Sequence, residues 1–257
     1  MEYPIEFFEI QEIFARKVSA VTGIPIEEAL LKYTSCYKRI GIEDWDFNAS
    51  HPTWQSFMDR INGGQSVAAA AYQLSRAGSD VTKKTHRFGC MGFDCRGDVV
   101  IMHFRNDFSS SEGPLSKYQI PARFLELRKM FEYIFEHHKD TRIVEGFSWL
   151  YNYEAYRRLF PAEYTSNMEW TGDSPVRIHS TWGQLIDSSG GLHSERASAF
   201  RNTVANANSL PALLAVFPFR TCKPRADIRF FYSFYGIDLH HPNPERRARI
   251  SSYLDRC

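Results

Sequence analysis

The chain has 257 residues, 43% of them hydrophobic, and a formal net charge of +1. This length suits one large domain or two small ones, and the near-neutral charge gives no support for a tRNA partner or an anionic membrane. No apolar run approaches the roughly 20 residues that a membrane-spanning helix needs, and no secretory signal begins the chain. Five scattered cysteines without metal-site spacing indicate a reduced, cytoplasmic setting and no zinc centre.

The first part of the chain predicts a layer of helices. Apolar residues spaced by three and four predict a first helix that ends at Gly23 and a second that begins at Pro25. Two further helices are predicted before the charged, turn-forming stretch 78–85. We therefore expect an N-terminal helical layer over residues 1–80 and an α/β domain over residues 81–257, together forming one compact unit.

The words RFGCMGFD and DVVIMHFRN predict a β-hairpin. A three-residue turn at 95–97, with glycine in its last position, would place Asp94 opposite Asp98. Side-chain alternation then places His103 and Arg105 on one face, at the carboxyl end of the second strand. Because both faces are apolar near the turn, we expect a strand covered by helices on both sides.

A helix, a strand and a second helix follow. The spacing of apolar residues predicts a helix over 120–138, and RIVEGFSWLY predicts a strand. Asn152 is placed to cap the next helix, which Pro161 ends. A strand, a crossover helix and a further strand imply a right-handed crossover and a mixed, partly parallel sheet flanked by helices. Ligands of such sheets gather at the carboxyl ends of the strands.

The last third of the chain carries weaker signals. A loop is predicted after Pro161, and VRIHSTW predicts a strand that leads into a short helical turn. Residues 194–208 predict a polar helix. ADIRFFYSFYGI suits a helix or a strand, and we favour the helix. The basic tail predicts a final helix with a solvated face, and an RNA-contacting patch is the alternative.

Four segments, GDVVIMHFRND, GPLS, FSWLY and LFPAEYTSN, together cover about residues 97–170. In order and spacing they resemble segments of a GNAT-like acyltransferase domain of bacterial proteins. The resemblance implies a GNAT-like sheet and transfer of an acyl or aminoacyl group to an amine.

The connection after the second hairpin strand departs from the usual acetyl-CoA pattern. Ordinary GNAT enzymes hold the pyrophosphate with an Arg/Gln-x-x-Gly-x-Gly/Ala loop at a helix N-terminus. The loop here reads NDFSSSEGPLSKYQIP, and its acids Asp107 and Glu112 would repel a diphosphate. The donor is therefore left open: acetyl-CoA without the usual loop, a carrier-bound acyl group, an aminoacyl-tRNA, or no acyl donor.

Three residues are candidates for catalysis. His103 could act as the general base for an amine, because its ordinary pKa lies near neutrality. Glu145 lies within an otherwise apolar strand, so it either pairs with Arg105 or Arg142 or works as an acid or base with a raised pKa. Ser148 could donate a hydrogen bond to a developing oxyanion. A strand-end or structural polar role is the alternative for each.

Six residues are candidates for binding substrate or donor. Arg105 could hold a carboxylate or phosphate in a bidentate grip. Trp149 and Tyr151 could form a ligand wall, although aromatic residues are more often core residues. The others are Asn106, Ser116 and Asn152.

The leading hypothesis is an acyl or aminoacyl transferase acting on an amine. A non-catalytic binding or scaffold protein that keeps the fold is the first alternative. Hydrolysis through Cys90 or Ser148 is a third class, although Ser148 does not lie in a nucleophile elbow and Cys90 suits a core position. The oligomeric state is left open.

Overall fold

The computed structural model describes residues 3–42, 48–77, 86–105, 113–170, 179–187 and 189–237. The chain divides into two compact units, the first formed by 1–82 with 172–219 and the second by 83–171 with 220–257. Each unit has its own hydrophobic core. Residues 172–219, which the sequence assigned to the α/β domain, therefore belong to the first unit.

The helices are α1 (Ile5–Thr22), α2 (Ile26–Tyr33), α3 (Cys36–Arg39), α4 (Pro52–Asn62), α5 (Val67–Ala77), α6 (Ile120–His137), α7 (Glu154–Arg157), α8 (Ala162–Thr165), α9 (His179–Trp182), α10 (Ser194–Asn206), α11 (Leu210–Leu214) and α12 (Ile228–Tyr235). The strands are β1 (His86–Phe88), β2 (Met91–Arg96), β3 (Val99–Phe104), β4 (Ile143–Gly146), β5 (Met168–Trp170) and β6 (Cys222–Asp227). Short 3-10 helices cover Trp149–Asn152 and Gly183–Leu185. Among the described residues, no helix is both long and apolar enough to span a bilayer.

The first unit is helical in its described part and packs around aromatic residues. The ring of Phe14 on α1 lies 5.5 Å from Trp182, 5.7 Å from Phe200 and 5.9 Å from Phe217. All four side chains are buried. Helix α1 ends as its sequence predicts, because Gly23 takes a left-handed φ of 76° and its N–H donates to the Ser19 carbonyl.

The second unit contains a six-stranded mixed sheet in the order β1-β2-β3-β4-β6-β5. Strands β3 and β4 are parallel, and every other neighbouring pair is antiparallel. The predicted α/β class with a mixed sheet flanked by helices is therefore confirmed. Strand β6 was not predicted, and β5 with α8 lies where a loop was expected.

The predicted register of the hairpin is wrong. Met91 pairs with Phe104 and Arg96 with Val99, so the turn is the two-residue Gly97-Asp98. Gly97 has a φ of 61°, and no described non-glycine residue has a positive φ, which is the type II′ pattern. A second tight turn at Gly89 divides RFGCMGFD into β1 and β2.

The two faces of the sheet differ in chemistry. One face packs against α6 and α12, whose rings stack at 4.7 Å between Phe131 and Phe231. Along β3 the buried Val100 and Met102 alternate with half-exposed neighbours, so the expectation of two equally covered faces is not met. We call the opposite side the charged face; register places on it Asp94, Ile101, His103, Glu145, Lys223 and Arg225.

The ends of two C-terminal helices follow their sequence signals. Asp227 caps α12 by accepting from the Arg229 N–H, and Gly236 ends that helix in a left-handed conformation. The favoured helix over this aromatic stretch is confirmed, as is α10 with its three inward residues. The predicted final helix of the tail lies outside the described residues. Residues 176–178 of the predicted VRIHSTW strand lie outside them too, and its other residues form the helix α9 instead of a strand.

Candidate functional site

The parallel pairing of β3 with β4 stops while the chain continues in an extended direction on both sides. Their last paired residues are Met102 and Gly146, but β3 continues to Phe104. Beyond β4, Ser148 still exchanges two backbone hydrogen bonds with Cys222, at 3.2 and 3.1 Å. We call this place, between residues 103–104 and 147–148, the carboxyl-end gap.

His103 stands at the carboxyl-end gap on the charged face and contacts a carboxylate. Its Nε2 lies 2.8 Å from Oδ2 of Asp94 on β2. The side chains are 38% and 42% exposed, so solutes can reach the pair. Because an ionised carboxylate only accepts hydrogen bonds, Nε2 of His103 is the donor in this contact.

Glu145 shares the charged face with His103 but has other partners. Its carboxylate lies 3.2 Å from Nζ of Lys223 and 3.0 Å from Nη1 of Arg225, both on β6. The predicted partners Arg105 and Arg142 are therefore wrong, whereas the structural ion pair is confirmed. Glu145 is only 16% exposed, and an unpaired charge there would be costly. The two cations on β6 offset that charge.

Arg105 follows the end of β3 and is exposed, and its N–H donates to the Cys90 carbonyl at 2.9 Å. This bond fixes the end of β3 against the turn between β1 and β2. Asn106, the next predicted binding residue along the chain, lies outside the described residues, and so do Asp107 and Glu112.

Tyr151 lies on the opposite, buried side of the carboxyl-end gap. Its hydroxyl is 2.8 Å from that of Tyr164, and both side chains are buried. Burial raises the pKa of Tyr151 and of Tyr164 well above the usual range, so both phenols stay protonated. A Cβ on Gly146 would overlap both hydroxyl oxygens, which shows how closely they approach the end of β4.

Three further candidates have structural contacts. The Ser148 hydroxyl caps the 3-10 helix by accepting from the Leu150 N–H at 3.1 Å. Asn152 does not cap a helix as predicted; its Nδ2 donates to the carbonyls of Trp149 and Arg220. The half-buried Trp149 ring packs edge-on against Tyr153 at 5.6 Å. Predicted roles in binding or oxyanion stabilisation remain predictions for these residues.

Ser116 has a buried hydroxyl oxygen without a hydrogen-bond partner in the described part of the chain. It follows Gly113, which has a φ of 71°, on the connection that leads from β3 to α6. A buried polar atom normally finds a partner, so Ser116 is one of the few exceptions among the described side chains.

The sequence reasoning missed Asp94, Lys223 and Arg225. Asp94 was misplaced because the wrong turn set it opposite Asp98, and with Gly97-Asp98 as the turn it lies one diagonal step from His103. The two cations were missed because β6 contains Pro224 and carries no strand pattern.

No protein-family model, curated protein or solved structure matches the chain. Among the described residues, no group of three or more histidine, cysteine, aspartate or glutamate side chains is placed to hold a metal ion.

Proposed function

We propose that this protein is an N-acyltransferase that works at the carboxyl-end gap, with His103 as the general base for an amine. The observation that carries the proposal is the 2.8 Å contact between His103 and Asp94 beside that gap. A carboxylate that orients an imidazole, at the strand end where ligands of parallel strands gather, is a general-base arrangement.

The order of elements supports a GNAT-like reading of the sheet. A hairpin leads into β3, followed by the connection that contains GPLS, then α6, then the parallel strand β4. The likeness of GDVVIMHFRND, GPLS and FSWLY to the acyltransferase domain implies this order. The GNAT-like fold is therefore part of the proposal.

The proposed reaction joins an amine to an activated acyl group. His103 takes a proton from the amine while the nitrogen forms a bond to the acyl carbon. The bond from that carbon to its leaving group breaks, and the leaving group accepts a proton. Asp94 holds the ring and stabilises the imidazolium that forms, the role a carboxylate has beside a catalytic histidine.

The donor site is proposed to lie in the carboxyl-end gap itself. Backbone groups beyond Met102 and Gly146 are not part of a β3–β4 ladder, so an extended donor arm that carries amide groups can bond to them as a further strand does. Ser116 stays a predicted donor contact, because its buried hydroxyl has no partner in the described part of the chain. Acetyl-CoA and a carrier-bound pantetheine both have such an arm, and nothing in the charge balance favours a tRNA.

Glu145 and Ser148 are left out of the proposed chemistry. The carboxylate of Glu145 holds β4 to β6 through Lys223 and Arg225, and the Ser148 hydroxyl accepts a backbone bond. A cytoplasmic location belongs to the proposal as well, in keeping with the free thiols of Cys36, Cys90, Cys95 and Cys222.

The test is transfer from acetyl-CoA, and separately from an N-acetylcysteamine thioester, to a panel of amino acids and polyamines, followed by mass spectrometry. We expect His103→Asn to lower the rate by about 100-fold or more and Asp94→Asn by a smaller factor. Asp59→Asn, a carboxylate on α4 in the other unit, is the matched control and should match the wild type.

A wild-type rate that His103→Asn leaves unchanged would remove His103 from the mechanism. A wild-type protein that transfers neither acyl group, yet is protected from thermal unfolding by acetyl-CoA, would instead support the non-catalytic binding protein.

A further inference from the structure

The second unit has a groove at the end of the sheet opposite to the carboxyl-end gap. It has a volume of about 830 Å³ and lies where α6 ends and α12 begins. Its lining includes Phe135, Lys139, Arg142, Ile228, Arg229 and Tyr232, and we call it the α6–α12 groove. A volume of this size lies within the range of about 300–1,000 Å³ that small-molecule sites occupy.

The floor of the α6–α12 groove is apolar and aromatic. The rings of Phe135 and Tyr232 meet edge to face, with centroids 5.3 Å apart. Ile228 and Tyr232 are buried, at 3% and 7% exposure, so they form a fixed surface rather than mobile side chains. Edge-to-face rings favour a further flat ring beside them.

The rim of the groove carries three cations, Lys139, Arg142 and Arg229, and only Arg229 forms an ion pair with a described carboxylate. Arg229 is held by Asp227 through two hydrogen bonds of 2.8 and 2.7 Å. Lys139 and Arg142 form no ion pair within 4 Å of any residue that the structure describes, although Arg142, like Arg229, helps to lower the pKa of Asp227. The Arg142 guanidinium donates only to the Lys139 carbonyl, at 3.3 Å, within that same part. Glu136 is the second acid on the rim.

We infer that the α6–α12 groove is a binding site for an aromatic organic anion, with its ring on Phe135 and Tyr232 and its charge at Lys139 and Arg142. Burial raises the pKa of Tyr232 to about 12, so its phenol remains a hydrogen-bond donor at neutral pH. Charge-assisted hydrogen bonds from two cations to one carboxylate are the stronger kind, and they explain why an anion is favoured over a neutral ring.

The site is separate from the proposed catalytic residues. It lies beside the amino end of β4, which begins at Ile143, whereas His103 and Ser148 lie at the carboxyl ends of the strands. The inference therefore does not depend on the proposed transfer reaction.

Calorimetric titration of the full chain with 1-naphthoate, and with the neutral isostere 1-naphthamide, tests the inference. We expect saturable one-to-one binding of naphthoate and binding of naphthamide that is weaker by about 100-fold, the effect of two charge-assisted contacts. Lys139→Gln and Arg142→Gln should each weaken naphthoate binding about tenfold and leave naphthamide binding unchanged.

Lys129→Gln is the matched control, because Lys129 is an exposed cation on α6 outside the groove. It should bind both compounds as the wild type does. Equal affinity for the two compounds, absence of saturable binding, or an equal loss of affinity in Lys129→Gln would each overturn the inference. Self-association that Arg142→Gln abolishes would also overturn it, because the groove would then be an interface between two copies.

Discussion

Two hydroxyl groups determine which residue can end β4. The oxygens of Tyr151 and Tyr164 lie against Gly146, where any side chain would overlap them. The backbone of Gly146 does not have a positive φ, so glycine is required here by packing and not by conformation. The close approach allows two phenols to lie at the edge of the carboxyl-end gap.

Gly146→Ala should lower the free energy of unfolding by about 1–3 kcal/mol, the usual cost of overpacking a core. In a background that carries Tyr151→Phe and Tyr164→Phe, the same substitution should cost less, because both overlapping oxygens are gone and only Cζ of residue 151 still lies too close to the added Cβ. Urea denaturation of the four proteins measures the difference. An equal cost in both backgrounds would mean that the hydroxyl groups do not set the identity of residue 146.

At the scale of single residues, the sequence predicts the position of a side chain in a strand better than it predicts the partner of that side chain. The position of His103 near a strand end follows from alternation alone and is correct. Its partner Asp94 depends on which of two glycine-containing turns closes the hairpin, and one changed turn moves every cross-strand pair. The partners of Glu145 depend on β6, about 80 residues further along the chain.

At the scale of elements, a small cluster attaches α6 to the turn between β1 and β2. Arg123 donates to Cys90 Sγ at 2.8 Å and to Glu126 Oε1 at 2.6 Å, and Glu126 accepts from the Cys90 N–H at 3.1 Å. Arg123 is 2% exposed and Glu126 19% exposed. Because the Cys90 carbonyl also accepts from Arg105, this cluster supports the end of β3 and thus the proposed site.

Arg123→Met should cost about 2–3 kcal/mol of stability, since it leaves a half-buried carboxylate without its cation. The double variant Arg123→Met with Glu126→Gln should cost less than the single one. Arg128→Met, which breaks the more exposed pair with Glu132 on the same helix, is the control and should cost at most about 1 kcal/mol. Urea denaturation at pH 7 compares the three.

The stability cost of Arg123→Met should depend on pH, because Glu126 titrates. Burial raises the pKa of Glu126, and Arg123 counteracts that rise. A carboxyl whose folded-state pKa exceeds its unfolded value disfavours folding above that pKa, and the penalty disappears once both states are protonated. The cost of Arg123→Met should therefore shrink as the pH falls through the folded-state pKa of Glu126. A cost that does not change between pH 7 and pH 4 would contradict this origin.

The sequence predicts the helices that have their own apolar spacing and end signals. It does not predict a strand whose formation depends on pairing with other strands. Helices α1, α6, α10 and α12 show their own apolar spacing and end signals. Strand β6 reads CKPRAD, which has little strand propensity, and it is a strand because β4 and β5 pair with it on both sides.

At the scale of the whole molecule, both units are discontinuous in sequence. The core of the first unit joins α1 to residues from the distant segment 172–219, among them Trp182, Phe200 and Phe217. The helical pattern of residues 1–80 could not reveal this, because an amphipathic stripe shows that a face is buried and not which segment covers it.

A chain of residues 1–82 alone should therefore fail to fold cooperatively. Phe14 would lose the three rings it packs against, and burial of large aromatic side chains is worth roughly 3–5 kcal/mol each when truncated. Joining residues 1–82 to residues 172–219 through a flexible Gly/Ser linker should restore a cooperative urea transition, followed by circular dichroism. In the linked chain, Trp182→Ala should abolish that transition, whereas Glu9→Ala, at an exposed position of α1, should leave it unchanged. A sharp transition in residues 1–82 by themselves would show that the N-terminal helices form a domain on their own and do not need residues 172–219.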